Sequence, residues 1–226
     1  PHQEERHQVL EHRAAPRNQR GHPPDSDQRP PHLEPVLLRD IALGDRDEVR
    51  IALRGSQAVP LADRFGLPVV TLRPFNAYGP RQSARAIIPT IISQAYRYKQ
   101  DGTQLRLGSL SPVRDFTYVK DTARAFLAAS QSDRALGEVV NAGTGKAQSI
   151  QDTLTDILDL MGIPDAPVET DAQRIRPENS EVHLLLADNQ KAADLIGWSP
   201  SVSFRDGLRD TIDAIGTRLA DYKTEI

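Results

Sequence analysis

The sequence predicts an α/β fold from about residue 65 to the C-terminus, and three observations carry that prediction. Leu67-Pro-Val-Val-Thr-Leu72 is a short apolar run with two β-branched residues in succession, the signature of a buried strand. Ile87, Ile88, Ile91, Ile92 and Ala95 recur at helical spacing. Strand-like and helix-like segments then alternate, which is the pattern of α/β architecture.

The elements follow in chain order. Residues 1–36 are poor in Ile, Leu, Val and Phe and cannot bury enough apolar area to offset chain entropy, so residues 1–40 read as a disordered segment rich in Arg, Pro and His. Residues 41–226 form the ordered part. Ile41 to Ala62 has a helical pattern, with Val49, Ile51, Ala52 and Leu53 ahead of Gly55, and Pro60 breaks its second half. A helix is expected from Arg85 to Lys99, with Pro89 in its first turn, where a missing N–H is tolerated. Phe116-Thr-Tyr-Val119 reads as a strand, and Asp121 as the cap of a helix running to about Ala129. Glu138-Val-Val-Asn141 is a further strand, closed by Gly143, Thr144 and Gly145. Ser149 with Asp152 opens a helix that ends at Met161-Gly162. Ser203 with Asp206 opens the last one, with Phe204, Leu208, Ile212 and Ile215 on one face.

Composition removes several function classes. The 226 residues hold 28 Lys and Arg against 31 Asp and Glu, a net charge of −3, so there is no global basic field for nucleic acid. The ten Arg of residues 1–64 are interleaved with Asp and Glu, and no aromatic residue is available there for base stacking. No apolar run of about eighteen residues suggests a membrane span, and no N-terminal stretch resembles a signal peptide. Cys is absent, which removes disulfide and thiolate chemistry, and a cytoplasmic location is the default expectation. The His residues have no metal-ligand spacing. No Gly-x-x-Gly-x-x-Gly follows a strand.

Three segments carry a resemblance. They are Leu72-Arg-Pro-Phe-Asn-Ala-Tyr-Gly-Pro-Arg-Gln82, then Arg114-Asp-Phe-Thr-Tyr-Val-Lys-Asp121, then Arg176-Pro-Glu-Asn-Ser-Glu-Val182 with Leu195-Ile-Gly-Trp-Ser-Pro200 beyond it. In order and spacing they resemble the C-terminal half of the extended short-chain dehydrogenases/reductases, the NAD-dependent epimerases and dehydratases of nucleotide sugars. The stretch after Gln82 and Arg174-Ile-Arg-Pro-Glu look most like sugar-nucleotide 4,6-dehydratases. The resemblance covers roughly residues 64–216. It implies the C-terminal part of an NAD(P)-binding Rossmann-like fold with a small substrate-binding subdomain. It also implies NAD as cofactor, a UDP-, GDP- or dTDP-linked sugar as substrate, and a homodimer.

The implied site can be weighed residue by residue. Arg suits a diphosphate because its fork donates two hydrogen bonds to one anion. The resemblance assigns that task to Arg114 and Arg176. A surface ion pair with Asp121 is the plain structural alternative for Arg114. Asn76 would donate its amide to the substrate at the pocket mouth, or else be a turn residue before Tyr-Gly-Pro. The resemblance assigns one of Glu178 and Glu181 to the ribose hydroxyls, with Glu181 preferred; a solvated loop carboxylate is the alternative for either. Ile88 and Pro89 would approach the substrate through backbone and apolar contact, or simply pack the helix. Pro74 would lie near the nicotinamide. Tyr78 reads as packing, and Trp198 as an apolar anchor after a helix end rather than a base-stacking platform.

In that family a Tyr, its pKa lowered by a Lys four residues on, is the base for hydride transfer from the sugar C4 to NAD. A 4,6-dehydratase then eliminates water across C5–C6 and returns the hydride to C6; a 4-epimerase returns it to C4 from the other face. No Tyr of this sequence has Lys four residues later. The family's spacing puts the pair near Asp47 and Ile51, which cannot replace it. No catalytic residue is therefore expected here. The expectation is a truncated or frameshifted member, inactive alone, whose NAD binding is in doubt. A strand at Val69-Val70 would then lack neighbours from the missing half.

Overall fold

Strand β2 (Val69–Pro74) is the middle of a three-stranded parallel sheet ordered β1-β2-β7. Val69, Val70, Thr71 and Leu72 are all buried, as expected of a strand covered on both faces. The computed structural model describes the backbone of residues 51–54 and the whole of residues 68–174 and 182–222, all within the unit Leu43–Ile226. Strand β1 (Ile51–Arg54) pairs in parallel with β2, Ile51 opposite Val69 and Arg54 opposite Leu72. The helical pattern expected over this stretch is thus corrected: at Ile51, Ala52 and Leu53 inter-strand bonding to β2 replaces local helical bonding. Strand β7 (Val139–Ala142) lies on the other side of β2, Leu72 opposite Val140 and Pro74 opposite Ala142. The β2 strand therefore has neighbours on both sides within this chain. The expected segment 1–40 lies outside the described residues.

The chain leaves β2 through Phe75 into β3 (Asn76–Tyr78), which pairs in parallel with β6 (Phe116–Tyr118). Helix α1 (Ile87–Asp101) follows, with Pro89 in its first turn and Gly102 closing it in the left-handed conformation. Strand β4 (Leu105–Leu107) pairs with β9 (Val168–Thr170). Strand β5 (Val113–Arg114) lies between β10 (Leu184–Leu185) and β8 (Gln148–Ser149).

Helix α2 (Val119–Ser130) starts three residues earlier than expected, with Tyr118 at its N-cap. Asp121 is inside the helix and not its cap, because its carboxylate is engaged elsewhere in the fold. Helices α3 (Ile150–Leu160) and α5 (Phe204–Gly216) begin where expected: Ser149 and Ser203 accept from the backbone N–H of Asp152 and Asp206. Helix α4 (Gln190–Ile196) ends at Gly197, and Trp198 beyond it is buried.

Two apolar cores result. One lies around the parallel sheet and joins Val70, Leu72 and Val140 to Ala125 of α2 and to Ile196 and Trp198. The other joins α1, α3 and α5 through Ile88, Ile92, Leu154, Ile157, Leu208 and Ile215, and includes Tyr78 and Phe116. Tyr78 is 1% exposed, meets Phe116 edge-on at 6.3 Å, and donates its hydroxyl to the Phe204 carbonyl at 2.9 Å. That is the packing role read from the sequence.

Candidate active-site cleft

Strand β3, the connection from it to α1, the start of α1 and strand β5 surround a cleft of about 540 Å³. Asn76 and Arg114 both line it. The Asn76 amide donates one hydrogen bond, 3.0 Å, to the carbonyl of Asp115, the residue after Arg114, and this ties the two walls together. An amide nitrogen has two hydrogens, so this bond leaves a second donor on Asn76. Arg114 is half-buried, and its Nη1 donates to the carbonyls of Val113 at 2.9 Å and Val182 at 2.6 Å. Asp121 is not its ion-pair partner: that carboxylate accepts from the backbone N–H of Ser201 and Val202, both at 3.1 Å, and pairs with Arg124.

Ile88 and Pro89 are both buried, and Ile88 belongs to the helical core. The wall that α1 offers to the cleft is made instead by Ile87 and Thr90, preceded by Ala86. A helix turns by about 100° per residue, so Ile87 and Thr90, three apart, share a face that Ile88 does not. Pro74, the last residue of β2, is half-buried and pairs with Ala142, away from the residues that line the cleft. Arg176, Glu178 and Glu181 lie outside the described residues.

Two cationic residues were missed by the sequence reading. Arg174 lines the cleft from the turn Ala172–Arg174, with its Nε 3.2 Å from the Asp171 carboxylate. Its backbone crosses Gly108 so closely that a Cβ there would stand 2.6 Å from the Arg174 carbonyl oxygen. The Arg174-Ile-Arg-Pro-Glu motif held the signal for this residue. Arg85 lines the opposite rim and had no signal beyond its charge. Among the described residues the cleft is lined by Arg85, Arg114 and Arg174 and by no Asp or Glu. A concave surface with one sign of charge attracts the other, so an anion is the natural ligand, even in a chain of net charge −3.

Asp115 organises the rear of the site. It is fully buried, and its carboxylate accepts from the Thr144 backbone N–H at 2.8 Å and the Thr144 hydroxyl at 2.6 Å. It also accepts from the N–H groups of Gly145 at 2.9 Å and Ala187 at 3.2 Å. Gly143 passes so close that an added Cβ would stand 2.8 Å from the Asp115 Oδ2.

These bonds decide how well the described residues fit a dinucleotide. Gly143-Thr144-Gly145 follows a parallel strand, where a phosphate-binding turn would be sought. Its N–H groups at Thr144 and Gly145 already point to a carboxylate, so the turn does not offer them to phosphate. No other glycine-rich cradle occurs in the 226 residues, and no Tyr has a Lys four residues on. The described residues offer no cradle for the phosphates of NAD, and no hydride step is assigned to them.

The GDP-mannose 4,6 dehydratase family model matches residues 56–211. The trifunctional UDP-glucose 4,6-dehydratase/UDP-4-keto-6-deoxy-D-glucose 3,5-epimerase/UDP-4-keto-L-rhamnose-reductase of Arabidopsis thaliana is 36% identical over 151 residues, 66% of this chain and 21% of that protein. The UDP-glucose 4-epimerase of Mycolicibacterium smegmatis is 30% identical over 151 residues, 66% of this chain and 46% of that one. UDP-glucuronic acid 4-epimerase from Bacillus cereus, solved with UDP-glucuronic acid and NAD, aligns with a TM-score of 0.60 and 30% identity, over 70% of this chain and 48% of its own. This chain spans less than half the length of each of these three relatives. The Rossmann-like α/β fold, the cationic cleft and the extent of the family match lead to one conclusion: the chain belongs to the extended short-chain dehydrogenase/reductase family of nucleotide-sugar dehydratases and epimerases that the GDP-mannose 4,6 dehydratase model describes.

Proposed function

We propose that the cleft is the substrate half of a nucleotide-sugar 4,6-dehydratase. The observation that carries this reading is three guanidinium groups around one cleft, with no acidic residue among the described lining. A nucleotide sugar brings a diphosphate to match them. Arg114 and Arg176 hold that diphosphate, Asn76 donates its second amide hydrogen to the substrate, and Glu181 accepts from the ribose hydroxyls. Ile88 and Pro89 support the wall from behind, through the backbone of α1. In the whole enzyme, Pro74 at the end of β2 stands near the nicotinamide of NAD, and the protein works in the cytoplasm.

A second reading, a nucleotide-sugar 4-epimerase, is favoured by the epimerases among the relatives. Either way, the 226-residue chain binds without turnover, because a phenolate base with its lysine is absent from it.

Isothermal calorimetry of the purified chain tests this, with NAD and with UDP- and GDP-linked sugars. Binding of one sugar nucleotide, weakened about ten-fold or more by Arg114→Ala, is the expected result. A folded sample that binds no sugar nucleotide would refute it. Binding of NAD would overturn the account of the missing cradle.

A further inference from the structure

The connection from β3 to α1 is fastened at several points. The Gln82 side chain donates to the Ala77 carbonyl at 3.0 Å, the Ala86 N–H to the Ser83 carbonyl at 2.9 Å, and the Thr90 hydroxyl to the Ala84 carbonyl at 3.1 Å. The Arg85 N–H meets the Ser83 hydroxyl at 3.4 Å. Arg85 is thus carried on a fixed backbone at the rim of the cleft, and its side chain is exposed. Its two companions are partly committed: Arg114 donates to two backbone carbonyls, and Arg174 faces Asp171. Among the described residues no carboxylate lies within ion-pair distance of Arg85, so its charge faces the cleft without local compensation.

We propose that Arg85 is a specificity-determining residue of this cleft: beside Arg114 and Arg176, it adds a rim contact to the phosphate farther along the ligand, and makes the site prefer nucleoside diphosphates to monophosphates. This rests on the proposed function, since it takes the cleft to be the substrate site. The physical basis is that a guanidinium fork donates two hydrogen bonds to one phosphate at a time, whereas two phosphates joined by a bridging oxygen present acceptors several ångströms apart. A rim cation adds affinity only for the ligand that extends to it. Because the group is exposed, its contribution is screened by salt.

The experiment measures binding of UDP, UMP, GDP and GMP to the full chain at low and at physiological salt. It compares the wild type with Arg85→Ala, Arg85→Lys and Arg114→Ala, each checked by thermal melting. The expected result is a diphosphate preference in the wild type that Arg85→Ala narrows about five-fold. Monophosphate affinity should hardly change, and Arg85→Lys should retain part of the preference. The narrowing should shrink at the higher salt. If Arg85→Ala leaves the preference intact while Arg114→Ala weakens binding, the assignment of Arg85 is overturned and the substrate-site reading stands. If the folded wild type binds none of the four, both fall together.

Discussion

The indole nitrogen of Trp198 donates to the backbone carbonyl of Asp121 at 3.0 Å, joining residues 77 positions apart. The Asp121 carboxylate, fully buried, accepts in turn from the backbone of Ser201 and Val202, just beyond Trp198. The start of α2 and the chain between α4 and α5 are therefore held as one unit, which closes the sheet-side core.

Trp198→Phe keeps most of the buried ring but removes the indole donor to the Asp121 carbonyl, a loss of about 1 kcal/mol. Trp198→Ala also leaves a cavity and is expected to cost about 3–5 kcal/mol. Asp121→Ala takes the shared acceptor from two part-buried backbone N–H groups and the carboxylate from Arg124, and is expected to cost about 1–3 kcal/mol. Urea titrations of the three variants check this order.

Gly207→Ala provides a test in which helix propensity and packing oppose each other. Alanine inside a helix gains about 1 kcal/mol over glycine. Here the added Cβ would be driven into the Tyr78 hydroxyl and would stand 2.9 Å from the Tyr118 ring. Overpacking of a filled core costs about 1–3 kcal/mol. The net result expected is a lower melting temperature, whereas Gly102 and Gly137 have no atom within 4 Å of an added Cβ and are constrained only by their positive φ.

Stability is expected to fall in alkali, and Tyr78 is a principal cause. Burial pushes its phenol pKa well above the ordinary 10.0, with Tyr118, Asp121 and Asp206 adding repulsion of the phenolate. A group whose folded pKa is raised contributes stability that is fully present below its unfolded pKa, and that is lost as pH rises through the folded value. The wild type should therefore weaken progressively above about pH 10. Tyr78→Phe, which removes the hydroxyl bond to the Phe204 carbonyl, should be about 1 kcal/mol less stable at neutral pH yet lose less on going to alkali. Tyr96 and Tyr118, also raised chiefly by burial, remain in the variant and keep part of the slope. Denaturant melts between pH 8 and 11 separate the two curves.

Much of the scaffold was legible because its signals are local. Ser149 and Ser203 each precede an Asp by three residues, and both cap helices as that spacing requires. The β-branched pair Val69-Val70 marks the central strand. What failed depends on distant parts of the chain. Ile51-Ala-Leu53 has no periodicity of its own to separate helix from strand, and pairing with β2 decides it. Asp121 looks like a helix cap in sequence, but its acceptors are taken by backbone 80 residues away. In α1 four isoleucines crowd the first two turns, and only the tertiary packing selects Ile87 over Ile88 for the cleft. For the cleft, the resemblance led to Asn76 and Arg114, which do lie together. Arg85 and Arg174 became visible only when the walls were brought face to face.

The bonds to Asp115 have a consequence for motion. One carboxylate holds the turn after β7 through Thr144 and Gly145, and the segment after β10 through Ala187, while the carbonyl of the same residue holds Asn76. These connections cannot open one at a time without stranding a buried charge. Their amide hydrogens should therefore exchange with solvent as a single cooperative group, with one opening free energy for Thr144, Gly145 and Ala187. Loss of the Asp115 carboxylate would release the turn after β7 and the segment after β10 together, and the rear of the cleft would change from a fixed wall to two independent segments.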